Sequence, residues 1–149
     1  MIDRKKIETV KPITDQLSPT FCMAKWHHTT IYLQTGETHS CYHPPPHRIS
    51  ISEIASNPSA LHNTTQKKLE RQQMLECKKP SGCQYCWKIE KLGGSYVSDR
   101  HIRNASIYND TLLNEIKAQV WSFNVLPEYV EISFGIECQM SCLFWHPKA

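Results

Sequence analysis

A chain of 149 residues, 40% hydrophobic and 9% aromatic, has material for one modest core and falls short of what a large catalytic barrel needs. Its formal charge of +3, with lysines and arginines spread along the sequence, gives no basis for expecting nucleic acid or an anionic membrane as partner. No run is apolar and long enough to span a membrane, and Met1 to Lys6 leads into polar residues instead of a signal-peptide core, so the expected location is the cytoplasm. In that reducing compartment seven cysteines point to metal or redox chemistry rather than to disulfides.

Residues 1–20 contain Pro12 and Pro19 and read as an irregular lead-in. Thr29 to Gln34 and Glu37 to Cys41 are β-prone runs separated by Thr35-Gly36, which predicts a hairpin with Cys41 at its exit. Pro44-Pro45-Pro46 cannot donate to a sheet, so His43 to Ser59 is expected as a loop with a brief turn around Ile51 to Ala55. Asn63 or Thr64 caps a helix over Thr65 to Glu76, with Leu61, Leu69 and Met74 towards one face and Lys67, Lys68 and Arg71 on the wet side. That helix ends before Pro80.

Cys83 to Leu92 predicts another helix, with Trp87 and Ile89 as anchors and Gly93-Gly94 as a left-handed cap. Asp110 caps a packing helix over Thr111 to Phe123, in which Leu112, Leu113, Ile116 and Val120 recur at helical spacing. Tyr129 to Phe134 alternates polar and apolar residues as a half-buried strand does. The fold class expected is α+β.

Cys83-Gln84-Tyr85-Cys86 is a Cys-x2-Cys knuckle that can aim two thiolates at one centre. Cys22 and a hairpin-borne Cys41 bring the number available to four, enough to close a cubane iron–sulfur cluster or a tetrahedral zinc site; ligand softness does not choose between them. Cys77, at a helix end near Pro80, could substitute as a ligand, but a free thiol is the simpler expectation. The histidines His27, His28, His39, His43 and His47 could build a Cys/His zinc site with Cys41, but solvated loop histidines are the simpler expectation. Trp26, Trp87, Tyr32 and Tyr85 are expected to form a small core around the centre. No Gly-rich phosphate loop and no hydrolase triad is legible.

Phe21-Cys22 followed by Trp26, a hairpin containing Gly36 with Cys41 at its exit, Arg71 and Met74 in a helix, and Gly82-Cys83-Gln84-Tyr85-Cys86 leading to Glu90, Gly93 and Ser95 together resemble the auxiliary-cluster region of SPASM and twitch radical S-adenosylmethionine (SAM) proteins. The resemblance spans roughly Phe21 to Arg100. It implies a [4Fe–4S] cluster on Cys22, Cys41, Cys83 and Cys86. In several such proteins, phage and metagenomic ones among them, this region precedes the barrel. Tyr129 to Gly135 followed by Cys138, Cys142 and Phe144 is in turn similar to the first barrel strand and cluster loop of the radical SAM core, whose loop reads Cys-x3-Cys-x-aromatic-Cys. There Cys138 and Cys142 would hold the cluster that chelates S-adenosylmethionine. Trp145 stands where the third cysteine belongs, and its indole has no lone pair for iron; His146 could substitute, although an ordinary loop histidine is the plainer reading.

The expected organisation is a lead-in over 1–20, a metal-stabilised twitch/SPASM-like module over 21–104, a linker helix over 105–127, and an incomplete radical SAM core over 128–149. The expected function is that of a cluster-binding fragment, whose auxiliary [4Fe–4S] centre transfers electrons or anchors an unidentified peptide or small-molecule substrate. S-adenosylmethionine would act only in a complete relative. A zinc-ribbon-like interaction module without a redox role is the alternative.

Overall fold

The computed structural model describes residues 3–118 and 124–135. It is a mixed α+β fold in which helices pack around one open four-stranded sheet.

The chain opens with a helix, α1 (Arg4–Leu17), where the sequence predicted an irregular segment. Asp3 caps it, its carboxylate accepting the Lys6 N–H at 3.0 Å. Ile7, Val10 and Thr14 form its buried face, and Ile7 and Val10 pack with Ala105. Pro12 lies inside the helix but on its exposed side, where the carbonyl that loses its donor can turn to water. Burial of the opposite face overrides the local cost.

After α2 (Ala24–His27), the predicted hairpin forms from β1 (His28–Tyr32) and β2 (Glu37–His39), with Thr30 opposite His39 and Tyr32 opposite Glu37. Gly36 takes φ +66°, and its N–H bonds the Tyr32 carbonyl at 2.9 Å. The triple proline does leave the sheet, but the chain returns as a two-residue strand, β3 (His47–Arg48), paired antiparallel with β2. The sheet order is β3-β2-β1-β4, and β4 (Tyr129–Ser133) runs parallel to β1. β4 is an edge strand whose Tyr129 meets the His28 ring and the Tyr42 hydroxyl, while the other face, with Val130 and Ile132, is largely uncovered among the described residues. Val130 and Ile132 are therefore exposed, where the alternating pattern predicted a half-buried strand.

A short helix, α3 (Ile51–Ser56), replaces the expected turn and is capped by Ser50. In α4 (Thr65–Leu75) Thr64 is the cap, accepting the Lys67 N–H at 3.1 Å. Its inward face inverts the expectation: Lys67 and Arg71 are buried beside Met74, whereas Leu61 and Leu69 are exposed. The reason is polar satisfaction. Lys67 Nζ donates to Thr29 Oγ1 (2.8 Å) and Thr38 Oγ1 (2.6 Å), and Arg71 donates to the Lys25 carbonyl (2.9 Å), Asn63 Oδ1 (2.8 Å) and the His62 carbonyl (3.3 Å).

The knuckle segment forms a 3-10 turn (Ser81–Cys83) and α5 (Gln84–Leu92), closed by Gly93 at φ +64°. Two helices follow: α6 (Asp99–Ile107), which sequence patterning did not reveal, and α7 (Asp110–Ala118). Asn109, rather than Asp110, caps α7, its side chain accepting the Thr111 N–H at 2.8 Å. One core unites Phe21, Met23, Trp26, Met74 and Trp87 with Leu113, Ile116 and Val125, so residues from the expected linker share the module's interior. Val120, in the predicted continuation of α7, lies outside the described residues.

Candidate metal centre

Three separate stretches deliver the four predicted cysteines. Cys22 sits in the segment entering α2, in a turn closed by the Lys25 N–H on the Cys22 carbonyl at 3.0 Å. Cys41 lies just beyond β2. Cys83 ends the 3-10 turn, and Cys86, three residues on, falls on the same side of the first turn of α5.

Each stretch is fastened by neighbours. α6 grips the Cys22 segment: Asn104 Oδ1 accepts the Met23 N–H at 2.8 Å, and Arg100 Nη1 donates to the Phe21 carbonyl at 2.8 Å. Arg100 is itself held by a two-pronged ion pair with Glu90 (2.9 and 3.0 Å) and lies over the Trp87 ring at 5.2 Å. Trp87 Nε1 donates to the Pro80 carbonyl at 3.1 Å and so fixes the approach to Cys83. At the hairpin exit, the His39 ring lies between Tyr32 Oη (3.2 Å) and the Cys41 carbonyl. Burial keeps His39 below the usual imidazole pKa, so in its neutral form Nδ1–H donates to Cys41 and Nε2 accepts from Tyr32. His43 Nε2 pairs with Asp99 at 2.7 Å, joining the Cys41 loop to α6.

The outcome is that Cys22, Cys41, Cys83 and Cys86 line a single cavity, together with Lys25, Met74 and Arg100. Cys22, Cys83 and Cys86 are buried, Cys41 is half-buried, and none of the described cysteines is in a disulfide. Among the described residues, no three His, Cys, Asp or Glu side chains converge as ligands of one metal ion do.

The protonation of the four cysteines carries the same imprint. Burial pushes the Cys22 thiol far above the ordinary range, and repulsion from Cys41, Cys83 and Cys86 adds to it, against relief from Arg100. Burial raises Cys83 to about 11, opposed chiefly by Lys25. It raises Cys86 to about 11 as well, opposed by the backbone N–H of Arg100. Cys41 rises for the same reason, with the His43 backbone N–H working against burial. Four thiols packed this way stay neutral without a cation among them, and a bound multivalent metal inverts that preference.

The cavity offers four soft sulfur donors, with Lys25, Arg100 and Arg103 on its wall and His43 and Asp99, paired with each other, beside them; such thiolates suit an iron–sulfur cluster and zinc alike. Lys25, almost fully buried, pairs with Glu70. Burial works against its charge, but Cys83 and Glu70 outweigh that and hold its pKa above the usual lysine value.

The remaining candidates lie elsewhere. Cys77 caps α4 with φ +59°, is exposed, and is not among the cavity's walls. His27, His28 and His39 are buried, contrary to the expectation of solvated loop residues; His47 Nε2 contacts Thr64 Oγ1 at 2.8 Å. Burial is possible because they flank or form β1 and β2, inside the sheet's packing. Trp26 and Trp87 are buried as expected, whereas Tyr85 is about half exposed. Cys138, Cys142, Trp145 and His146 lie outside the described residues. Sequence reasoning missed Lys25 and Arg100. Lys25 had one available signal, its position one helical turn after Cys22; Arg100 reaches the cavity only through the packing of α6. Compared with models of known protein families, with curated proteins and with solved structures, the chain matches none.

Proposed function

We propose that this chain binds an auxiliary [4Fe–4S] cluster on Cys22, Cys41, Cys83 and Cys86, as the accessory module of a radical SAM protein. The observation that carries the reading is the single cavity lined by these four cysteines from three stretches of chain. The sequence resemblance, not the donor set, favours a cluster over zinc, since thiolates suit both centres.

When bound, such a cluster exchanges single electrons close to a substrate. The chain's own part is to supply four thiolates, to exclude water with Met74 and Ala24, and to present Lys25 and Arg100 to the resulting dianion. The radical SAM assignment rests on the sequence resemblance, including Cys138 and Cys142; S-adenosylmethionine chemistry would belong to a complete core.

Anaerobic reconstitution with iron and sulfide tests the reading. A brown protein with a broad band near roughly 400 nm and about four irons and four sulfides per chain is expected. Zinc at one per chain, with no iron or labile sulfide taken up, would overturn it and select the zinc-ribbon alternative.

A further inference from the structure

Two ion pairs, with buried cations and half-buried carboxylates, flank the sulfur cavity in the same orientation, and the wall also carries Arg103 and the His43–Asp99 pair. Lys25 and Arg100 are among the residues lining the cavity, whereas their partners Glu70 and Glu90 are not. Each pair is neutral as a whole and acts on the cavity as a dipole with its positive end inward. The two are not equivalent. Arg100 spreads its guanidinium over both Glu90 oxygens and the Phe21 carbonyl. Lys25 donates to Glu70, reaches the Cys83 sulfur with the same ammonium, and is only 1% exposed. It follows Cys22 by one helical turn, in α2, and the Glu70 carboxylate lies behind the knuckle, 3.2 Å from where a Cβ on Gly82 would stand.

The geometry points to Lys25, oriented by Glu70, as the residue that sets the reduction potential of a cluster held on these four cysteines. This rests on the cluster reading above. A cluster's potential follows its net charge, the hydrogen bonds to its sulfurs and its exposure. Reduction adds one electron to the cluster core, supplied by a low-potential one-electron donor; no bond to the protein forms or breaks, and the added negative charge remains on the core. A fixed ammonium at the wall of a water-poor cavity stabilises that extra charge far more than a solvated lysine does, because there is little dielectric screening between them. Glu70 damps the effect from behind, so the two residues pull the potential in opposite directions.

The experiment is an anaerobic redox titration of the reconstituted full chain with dithionite and mediators, followed by electron paramagnetic resonance of the reduced cluster. Glu70→Gln, which leaves the ammonium undamped, is expected to raise the potential. Lys25→Gln combined with Glu70→Gln, which removes the dipole without stranding a buried carboxylate, is expected to lower it. Each shift should be at least tenfold in the one-electron equilibrium, about 59 mV. Lys25→Arg, which keeps the charge, should stay within tenfold of the wild type. Potentials of Glu70→Gln and of the double variant that stay within tenfold of the wild type, or move in the same direction, overturn the inference, since a merely structural role would let water in alike for both. A wild-type chain that takes up no iron and sulfide overturns the cluster reading and this inference with it; a wild type with an intact cluster and variants with unmoved potentials overturn this inference alone.

Discussion

The His43 ring lies flat on the Tyr85 ring, centroids 3.9 Å apart and planes 11° from parallel. It ties the loop leaving Cys41 to Tyr85, one of the two residues between Cys83 and Cys86. Tyr85→Ala should cost about 1 kcal/mol of stability and shorten the lifetime of the reconstituted chromophore under a chelator. Tyr85→Phe, which keeps the stack, should leave both near wild type. Thermal melts and chelation time courses read the two effects.

Cys83→Ser should remove a ligand and, with it, most of the metal-dependent stability, since thiolate binding contributes on the order of 10 kcal/mol to the folding of small metal-bound domains. Cys77→Ser, at an exposed helix cap away from the cavity, should leave iron content unchanged. Iron analysis and anaerobic thermal melts of the two variants side by side make the comparison. Undiminished stability in Cys83→Ser would show that the cluster does not hold this region together.

Arg71 is fully buried with no carboxylate in an ion pair with it among the described residues; neutral groups satisfy it. Arg71→Met keeps bulk but strands the Lys25 and His62 carbonyls and takes one of two donors from Asn63 Oδ1. The expected loss is about 3 kcal/mol, from several buried polar groups left unpaired. Denaturant titration of the metal-free chain checks it, so that cluster loss does not intrude.

Lys67 sets a pH dependence. Burial, helped by the nearby Arg71 and Lys25 charges and resisted by Glu70, brings its pKa down to about 7. In the unfolded chain the value is about 10.4. Below pH 7 the side chain is protonated in both states, and the buried charge weighs fully on the fold. Between about 7 and 10.4 the unfolded chain holds the extra proton, so the contribution of Lys67 to stability rises with pH. The stability difference between Lys67→Met and wild type should therefore shift in favour of wild type by on the order of 2–4 kcal/mol between pH 7 and pH 10. Because the thiols are common to both proteins, their titration cancels in the difference. A gap that stays constant with pH would show that Lys67 titrates normally.

Pro12→Ala, at an exposed position inside α1, should stabilise the protein by about 1–3 kcal/mol, because it restores a helical N–H and relieves the ring's clash with the preceding turn. Reversible unfolding monitored by circular dichroism measures it.

Much of the centre could be read from local pattern. The knuckle, the glycine turn of the hairpin, the cap at Thr64 and the stop before Pro80 depend on neighbours a few residues apart, and the structure has each of them. Where the reading went wrong, distant partners decided. Lys67 and Arg71 look like a wet helix face until Thr29, Thr38, Asn63 and His62 converge on them. The helix through Pro12 is stable because its other face finds α6.

What the sequence by itself determined is which side chains are offered: four cysteines on turns and helix starts that short-range stereochemistry places without help from the rest of the chain. Only the tertiary structure decided that they border one cavity, that Lys25 and Arg100 face it with their carboxylates behind, and that Cys77 stays outside. Those relationships come from packing between elements far apart along the chain. Burial, charge pairing and the distance between sulfurs take their values from the assembled interior, where no local pattern records them.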